Sequence, residues 1–125
     1  MDQIDVLDFW NCVAKQDKVA LRYFFTESAV IRWHATNEQF NVSEYIQANC
    51  EYPGNWTGVI KQVKKQDNQI ITITNVTNSD TKEAYLAVSF LTIIDGLISE
   101  LDEYWSDMTQ APKWRRDMGI GKPIH

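Results

Sequence analysis

Glu103 is the side chain of this sequence best placed to do chemistry. It stands in Asp95-Gly96-Leu97-Ile98-Ser99-Glu100-Leu101-Asp102-Glu103-Tyr104-Trp105-Ser106-Asp107. This segment reads as an Asp-Gly hairpin turn followed by one long strand, Ile98 to Asp107. Strand alternation puts Leu101, Glu103 and Trp105 on one face, and Glu100, Asp102 and Tyr104 on the other. Leu101 and Trp105 mark the covered face, so Glu103 is expected to point into a concavity between two apolar groups. Apolar surroundings disfavour the charged carboxylate and raise its pKa, which suits a general acid or base. The competing reading is structural: Glu103 pairs with a buried Arg, Tyr or Trp and only holds the fold.

His34 is the second candidate catalytic residue, in Ala29-Val30-Ile31-Arg32-Trp33-His34. It is the only internal histidine, and imidazole ordinarily titrates near neutrality. A meeting of His34 with Glu103 would form a His–carboxylate dyad. Alternation, however, sends His34 to the side opposite Trp33, and the plainer expectation is a strand-end residue bonded locally. Trp33 would wall a pocket. Tyr45, Tyr52 and Trp56 bracket a helix and the loop after it, where they would clamp an apolar or planar ligand or else plug the site as core. With Leu101 and Trp105 these residues make up the expected ligand-binding set. Two histidines, one of them terminal, and distant Cys12 and Cys50 do not build a metal site. There is no glycine-rich phosphate loop and no nucleophile elbow, so no cofactor is expected.

The elements that must position these groups are legible from periodicity. Val6, Phe9, Trp10 and Val13 form one stripe of an amphipathic helix from Asp5 to Gln16. Asp17 caps a second, short helix through Phe24. Thr26-Glu27-Ser28 reads as a turn, Ala29 to His34 as a strand and Gln39-Phe40 as a brief strand. Asn41 and Glu44 form a capping-box pair for a third helix, which Tyr52-Pro53-Gly54 ends. Strands then follow from Trp56 to Gln66, Gln69 to Thr77, Glu83 to Ile94 and Ile98 to Asp107. The third of these is apolar on both faces, so both are expected to be covered. Short turns between the four force an antiparallel meander, and the helices are the only available cover. The expected product is an α+β fold, a curved sheet wrapped around three N-terminal helices.

At 125 residues the chain is read as one domain, 1–125, and 44% hydrophobic content is enough for a core. A net charge of −5 argues against nucleic-acid binding, which needs clustered Lys and Arg. No apolar run approaches a membrane span, and Met1-Asp2-Gln3-Ile4-Asp5 has no signal-peptide character, so a cytoplasmic location is expected. The exception to the acidic character is the tail, residues 111–125, with Lys113, Arg115, Arg116 and Lys122. Trp114 and Ile120 are too apolar for a free end, so the tail is expected to dock, on its own barrel or on a second subunit. Arg115 and Arg116 would then meet acidic surface or close the pocket over an anionic ligand.

The order of elements and several motifs resemble the nuclear-transport-factor-2-like (NTF2-like) superfamily, and within it the SnoaL-like proteins. The likeness is carried by Phe24-Phe25-Thr26-Glu27-Ser28-Ala29-Val30-Ile31, by Ser43-Glu44-Tyr45-Ile46, by Asp95 to Ile98 running into Leu101 to Trp105, and by the tail. It implies a cone with a mixed, mainly antiparallel sheet and a homodimer formed through that sheet. The exposed Thr, Val and Ile of the middle strands fit such a dimer. The last strand looks like that of limonene-epoxide-hydrolase-type members, whose acid at the place of Glu103 is catalytic. The Arg–Asp pair of those members has no counterpart in Ile71-Thr72-Ile73-Thr74-Asn75. Ketosteroid-isomerase-like members carry an acid near the place of Trp33, which this chain lacks. Dehydratase-like members join a His to an Asp of the first helical region, where this chain has Asp5, Asp8 and Asp17. Three functions are therefore expected to compete: a cofactor-independent acid/base enzyme acting on a small apolar or aromatic molecule, a non-catalytic binder of such a molecule, and an interaction module with a filled cone.

Overall fold

The computed structural model describes residues 4–125. Helix α1 (Val6–Lys15) starts where the Asp5 carboxylate accepts from the Asp8 N–H at 3.1 Å. It stops at Gln16, whose φ of 58° is left-handed. Helix α2 (Lys18–Arg22) is capped in the same way by Asp17, which accepts from Ala20 N–H at 3.0 Å. Asp5 and Asp17 are therefore helix caps, not partners for a histidine. Helix α3 (Val42–Glu51) opens on the expected capping box, Asn41 and Glu44 exchanging two bonds of 2.9 Å.

The strands are β1 (Phe25–Trp33), β2 (Glu38–Phe40), β3 (Trp56–Gln66), β4 (Gln69–Asn78), β5 (Ala84–Ile94) and β6 (Leu97–Asp107). They form one sheet in the order β2-β1-β6-β5-β4-β3. Only β1 and β6 run parallel, and the rest is antiparallel. Asp95 and Gly96 join β5 to β6 with φ values of 52° and 78°, the double positive φ that an Asp-Gly hairpin turn needs. Thr26-Glu27-Ser28 is not the expected turn. It is part of β1, and the pairing with β6 slips between Phe25 and Val30, so the extra β1 residues bulge and leave Glu27 and Ser28 exposed.

Helices α1 and α3 cover the concave face. Phe9, Leu21, Ile31, Leu91, Ile98 and Leu101 are fully buried there. Leu101 is thus part of the packed core. So is Tyr45, which lies edge-on to Phe25 and Trp33. The expectation that both faces of β5 are covered holds on one side only. Ala87, Ser89 and Leu91 are buried, whereas Leu86, Val88 and Phe90 on the outer side are only half-buried.

The tail does not dock on its own barrel. Residues Lys113–Asp117 make a short helix, α4, stabilised by local contacts such as Lys113 Nζ to Asp117 Oδ2 at 2.6 Å. Its apolar side chains stay in solvent, with Trp114 63% and Ile124 91% exposed. Arg116 bonds the backbone of Ala111 and Arg115 lies over Trp114, so neither closes over a pocket. No helix among the described residues is long and apolar enough to cross a membrane.

Candidate functional site

Cross-strand register arranges the inner face in rows. One row is polar: Thr72 of β4 pairs with Ser89 of β5, Ser89 with Glu103 of β6, and Glu103 with Trp33 of β1. Glu103 lies at the centre of this row and is 1% exposed. Trp33 Nε1 donates to its Oε1 at 3.1 Å, and Ser89 Oγ donates to its Oε2 at 2.7 Å. At the far end, Trp10 Nε1 of α1 donates to Thr72 Oγ1 at 3.1 Å. Burial raises the Glu103 pKa, while the donors Ser89 and Trp33 oppose the shift by favouring the carboxylate. Trp105 Nε1 also favours the charged form from nearby, yet it is buried and makes no hydrogen bond of ordinary geometry. Tyr45 is pushed well above the usual phenol range by burial and by the neighbouring Glu103.

The next rows lead to an open cavity of about 400 Å³. Register places Trp105 beside Ala87, and Asp107 beside Tyr85. Trp105, Tyr85 and Asp107 line the cavity with Trp33, Tyr52 and Trp56. Tyr52 stacks on Trp56 at 5.3 Å between ring centres, Trp56 meets Tyr85 at 5.9 Å, and Tyr85 meets Trp105 edge-on at 6.2 Å. The helical side of the wall is fixed by two bonds: Gln16 Nε2 donates to Asn49 O at 2.9 Å, and Asn49 Nδ2 to Val13 O at 3.1 Å. Both amides also line the cavity.

Of the expected ligand-binding set, the structure brings Trp33, Tyr52, Trp56 and Trp105 to this cavity and leaves Tyr45 and Leu101 in the core. Glu103 points inward as expected but does not itself wall the cavity. Two of the indoles nearest to it, Trp33 and Trp105, do. His34 takes no part in an inner dyad. Its Nε2 lies 2.8 Å from Asp102 Oδ1, and its ring stacks on Tyr104 at 4.4 Å on the outer face. Only its backbone N–H meets Glu103, donating to the carbonyl at 3.0 Å.

Tyr85 and Asp107 were missed by the sequence reading. Asp107 continues the odd-numbered row of Leu101, Glu103 and Trp105, so parity alone signals its side. Tyr85 shares parity with Ala87, Ser89 and Leu91, but the apolar outer residues of β5 mask the alternation. Among the described residues no group of three or more His, Cys, Asp or Glu is placed to hold a metal ion. Cys12 and Cys50 are free, half-buried thiols, each with its pKa raised chiefly by burial.

No family model and no curated protein matches the sequence. Solved structures do match in three dimensions. A ketosteroid-isomerase-like protein of Kribbella flavida superposes with a TM-score of 0.77 at 21% identity, over 95% of this chain and 87% of that one. An NTF2-like protein of unknown function from Burkholderia xenovorans gives 0.73 at 19% identity, over 94% and 91%. A SnoaL-like, polyketide-cyclase-type protein of Shewanella putrefaciens gives 0.66 at 10% identity, over 80% and 85%. The fold is therefore the NTF2-like α+β cone, shared with SnoaL-like and ketosteroid-isomerase-like proteins.

Proposed function

We propose that the protein binds a small, largely apolar molecule in the aromatic-walled cavity of the cone. The observation that carries this reading is the convergence of Trp33, Tyr52, Trp56, Tyr85 and Trp105, from five separate segments, on one cavity of about 400 Å³. That size lies in the ordinary range for small-molecule sites, as does a wall of aromatic carbon with few polar groups. Structural neighbours named for isomerase and cyclase chemistry support the reading by analogy of fold. Titration with a panel of aromatic and apolar compounds, followed by tryptophan fluorescence, tests it. Saturable binding that weakens at least tenfold in Trp56→Leu and Trp105→Leu is the expected result. No saturable ligand, or binding indifferent to both substitutions, overturns the reading.

Acid/base catalysis by Glu103 is the second reading, favoured by its burial, its raised pKa and its bond to the cavity-lining Trp33. Turnover by this route requires the wall to open, because the carboxyl is buried and is not among the residues that line the cavity. His34 and Asp102, on the opposite face, drop out of the scheme. Glu103→Gln separates the two readings: an enzyme loses turnover and keeps affinity, whereas a binder changes only in affinity. The outer residues Ile71, Ile73, Leu86, Val88 and Phe90 form a half-buried apolar surface across β4 and β5, which supports pairing of two copies through the sheet. A monomer in sedimentation at micromolar concentration would sink that pairing.

A further inference from the structure

We infer that the molecule held in the aromatic cavity is a small organic cation, an alkylammonium with methyl-sized substituents on nitrogen. The inference rests on the cavity being a ligand site and adds the charge of its occupant.

Three observations converge. The first is the charge of the wall. Asp107 is the one charged side chain among the fourteen described residues that line the cavity, and no Lys, Arg or His is among them. The second is how three of the five aromatic residues, Trp33, Tyr85 and Trp56, present themselves. Their polar edges are bonded away from the cavity: Trp33 Nε1 to Glu103, Tyr85 Oη to Glu83 Oε2 at 2.6 Å, and Trp56 Nε1 to Pro53 O at 3.3 Å. These three offer the ligand ring carbon, whose π-faces carry the negative part of the aromatic quadrupole.

The third is the set of acceptors behind the rings. Two of the three are carboxyl groups, and Glu83 is held below the usual carboxylate range chiefly by the Tyr85 hydroxyl. The Tyr85 ring, whose O–H donates to the Glu83 carboxylate, is polarised toward greater electron density, because the acceptor's charge pushes electrons back into the π-system. The cavity is thus negative at Asp107, negative at its ring faces, and without a cation among its described lining residues. An anion would meet repulsion from Asp107 and from the ring faces. A neutral apolar ligand would gain burial only. An alkylammonium gains burial of its methyl groups, attraction to Asp107 and cation–π contact, which is strongest when desolvated and best on Trp. The register pair Tyr85 and Asp107 sets the carboxylate beside an aromatic ring, so one bound cation can meet both.

The test uses two soluble molecules of equal shape: choline, and 3,3-dimethylbutan-1-ol, in which carbon replaces the charged nitrogen. Affinities are read from tryptophan fluorescence and from chemical shifts of the methyl protons. Choline is expected to bind at least about tenfold more tightly than the alcohol. Asp107→Asn, at an exposed strand end and so a safe substitution for folding, is expected to reduce that preference several-fold. Equal affinities, or a preference for the alcohol, overturn the inference while leaving the cavity as a ligand site. Absence of saturable choline binding at high millimolar concentration overturns it too. The aromatic panel with Trp56→Leu and Trp105→Leu then decides the cavity reading separately.

Discussion

The two faces of the β1–β6 pair hold nearly the same chemistry in opposite surroundings. Arg32 pairs with Asp102, and Trp33 with Glu103, one register step apart. Outside, Arg32 Nη1 meets Glu100 Oε1 at 2.9 Å and Asp102 Oδ1 at 3.3 Å, and Asp102 also receives His34. Inside, Glu103 has no cation and relies on an indole and a hydroxyl. Water solvates whatever the outer groups leave unsatisfied, so the outer pairs are individually worth little. The inner carboxyl has no such reserve. Each donor it loses becomes a buried polar group without a partner. One residue of spacing therefore separates a replaceable surface network from a centre on which the interior depends.

The largest break in this comparison is Glu103→Ala. It leaves Trp33 Nε1 and Ser89 Oγ without their acceptor and opens a void, so a loss of about 3 kcal/mol in urea unfolding is expected. An effect no larger than that of Asp102→Ala would show that the two faces are equivalent. Next is Trp33→Phe, which keeps an aromatic ring and removes one donor to Glu103. A loss of about 1–2 kcal/mol is expected in the same measurement, with the Glu103 pKa moving further up. A fall in that pKa, followed by the carboxyl carbon resonance, would contradict the role given to the indole.

The third prediction concerns pH. Burial raises the folded-state pKa of Glu103 above its ordinary value of 4.5. The folded state thus binds this proton more tightly than the unfolded state does. The stability contributed by protonated Glu103 is fully present below the unfolded pKa and is lost as pH rises through the folded one. Glu103→Gln cannot ionise, so its stability relative to the parent should improve as pH rises from 4 toward neutrality. A constant or opposite difference would mean that the donors outweigh burial. The smallest effect is expected outside: Asp102→Asn should cost under about 1 kcal/mol and lose most of that cost in high salt. Guanidinium-salt and urea unfolding, compared side by side, measure it.

How far the site could be read in the sequence follows the same division. The parity of β6 assigns Leu101, Glu103 and Trp105 to one face correctly, because the side-chain period of a strand is fixed at two. It also sends His34 away from Trp33, and the structure puts His34 on Asp102. Capping residues name the helix starts, since an Asn or Asp before an apolar stripe satisfies the first free N–H groups. Parity is silent on depth along a row. Leu101, Glu103, Trp105 and Asp107 share one face but pass from packed core to buried polar centre to cavity wall. Tyr45 on α3 and Tyr52 at its C-terminal cap are likewise indistinguishable in type, yet one is core and the other lines the cavity.

The sequence by itself determined the order of the elements, most of their limits, the turn at Asp95-Gly96 and the inward face of the last strand. These depend on local backbone preferences and on periodicity. Only the tertiary structure decided that Glu103 is buried off the cavity wall while its partner Trp33 lines it, that Tyr85 and Asp107 complete the wall, and that the tail stays off its own barrel. Those outcomes depend on strand register and on where α1 and α3 end against the sheet. Such distances join residues up to 70 positions apart, as between Trp33 and Glu103, and no local pattern encodes them.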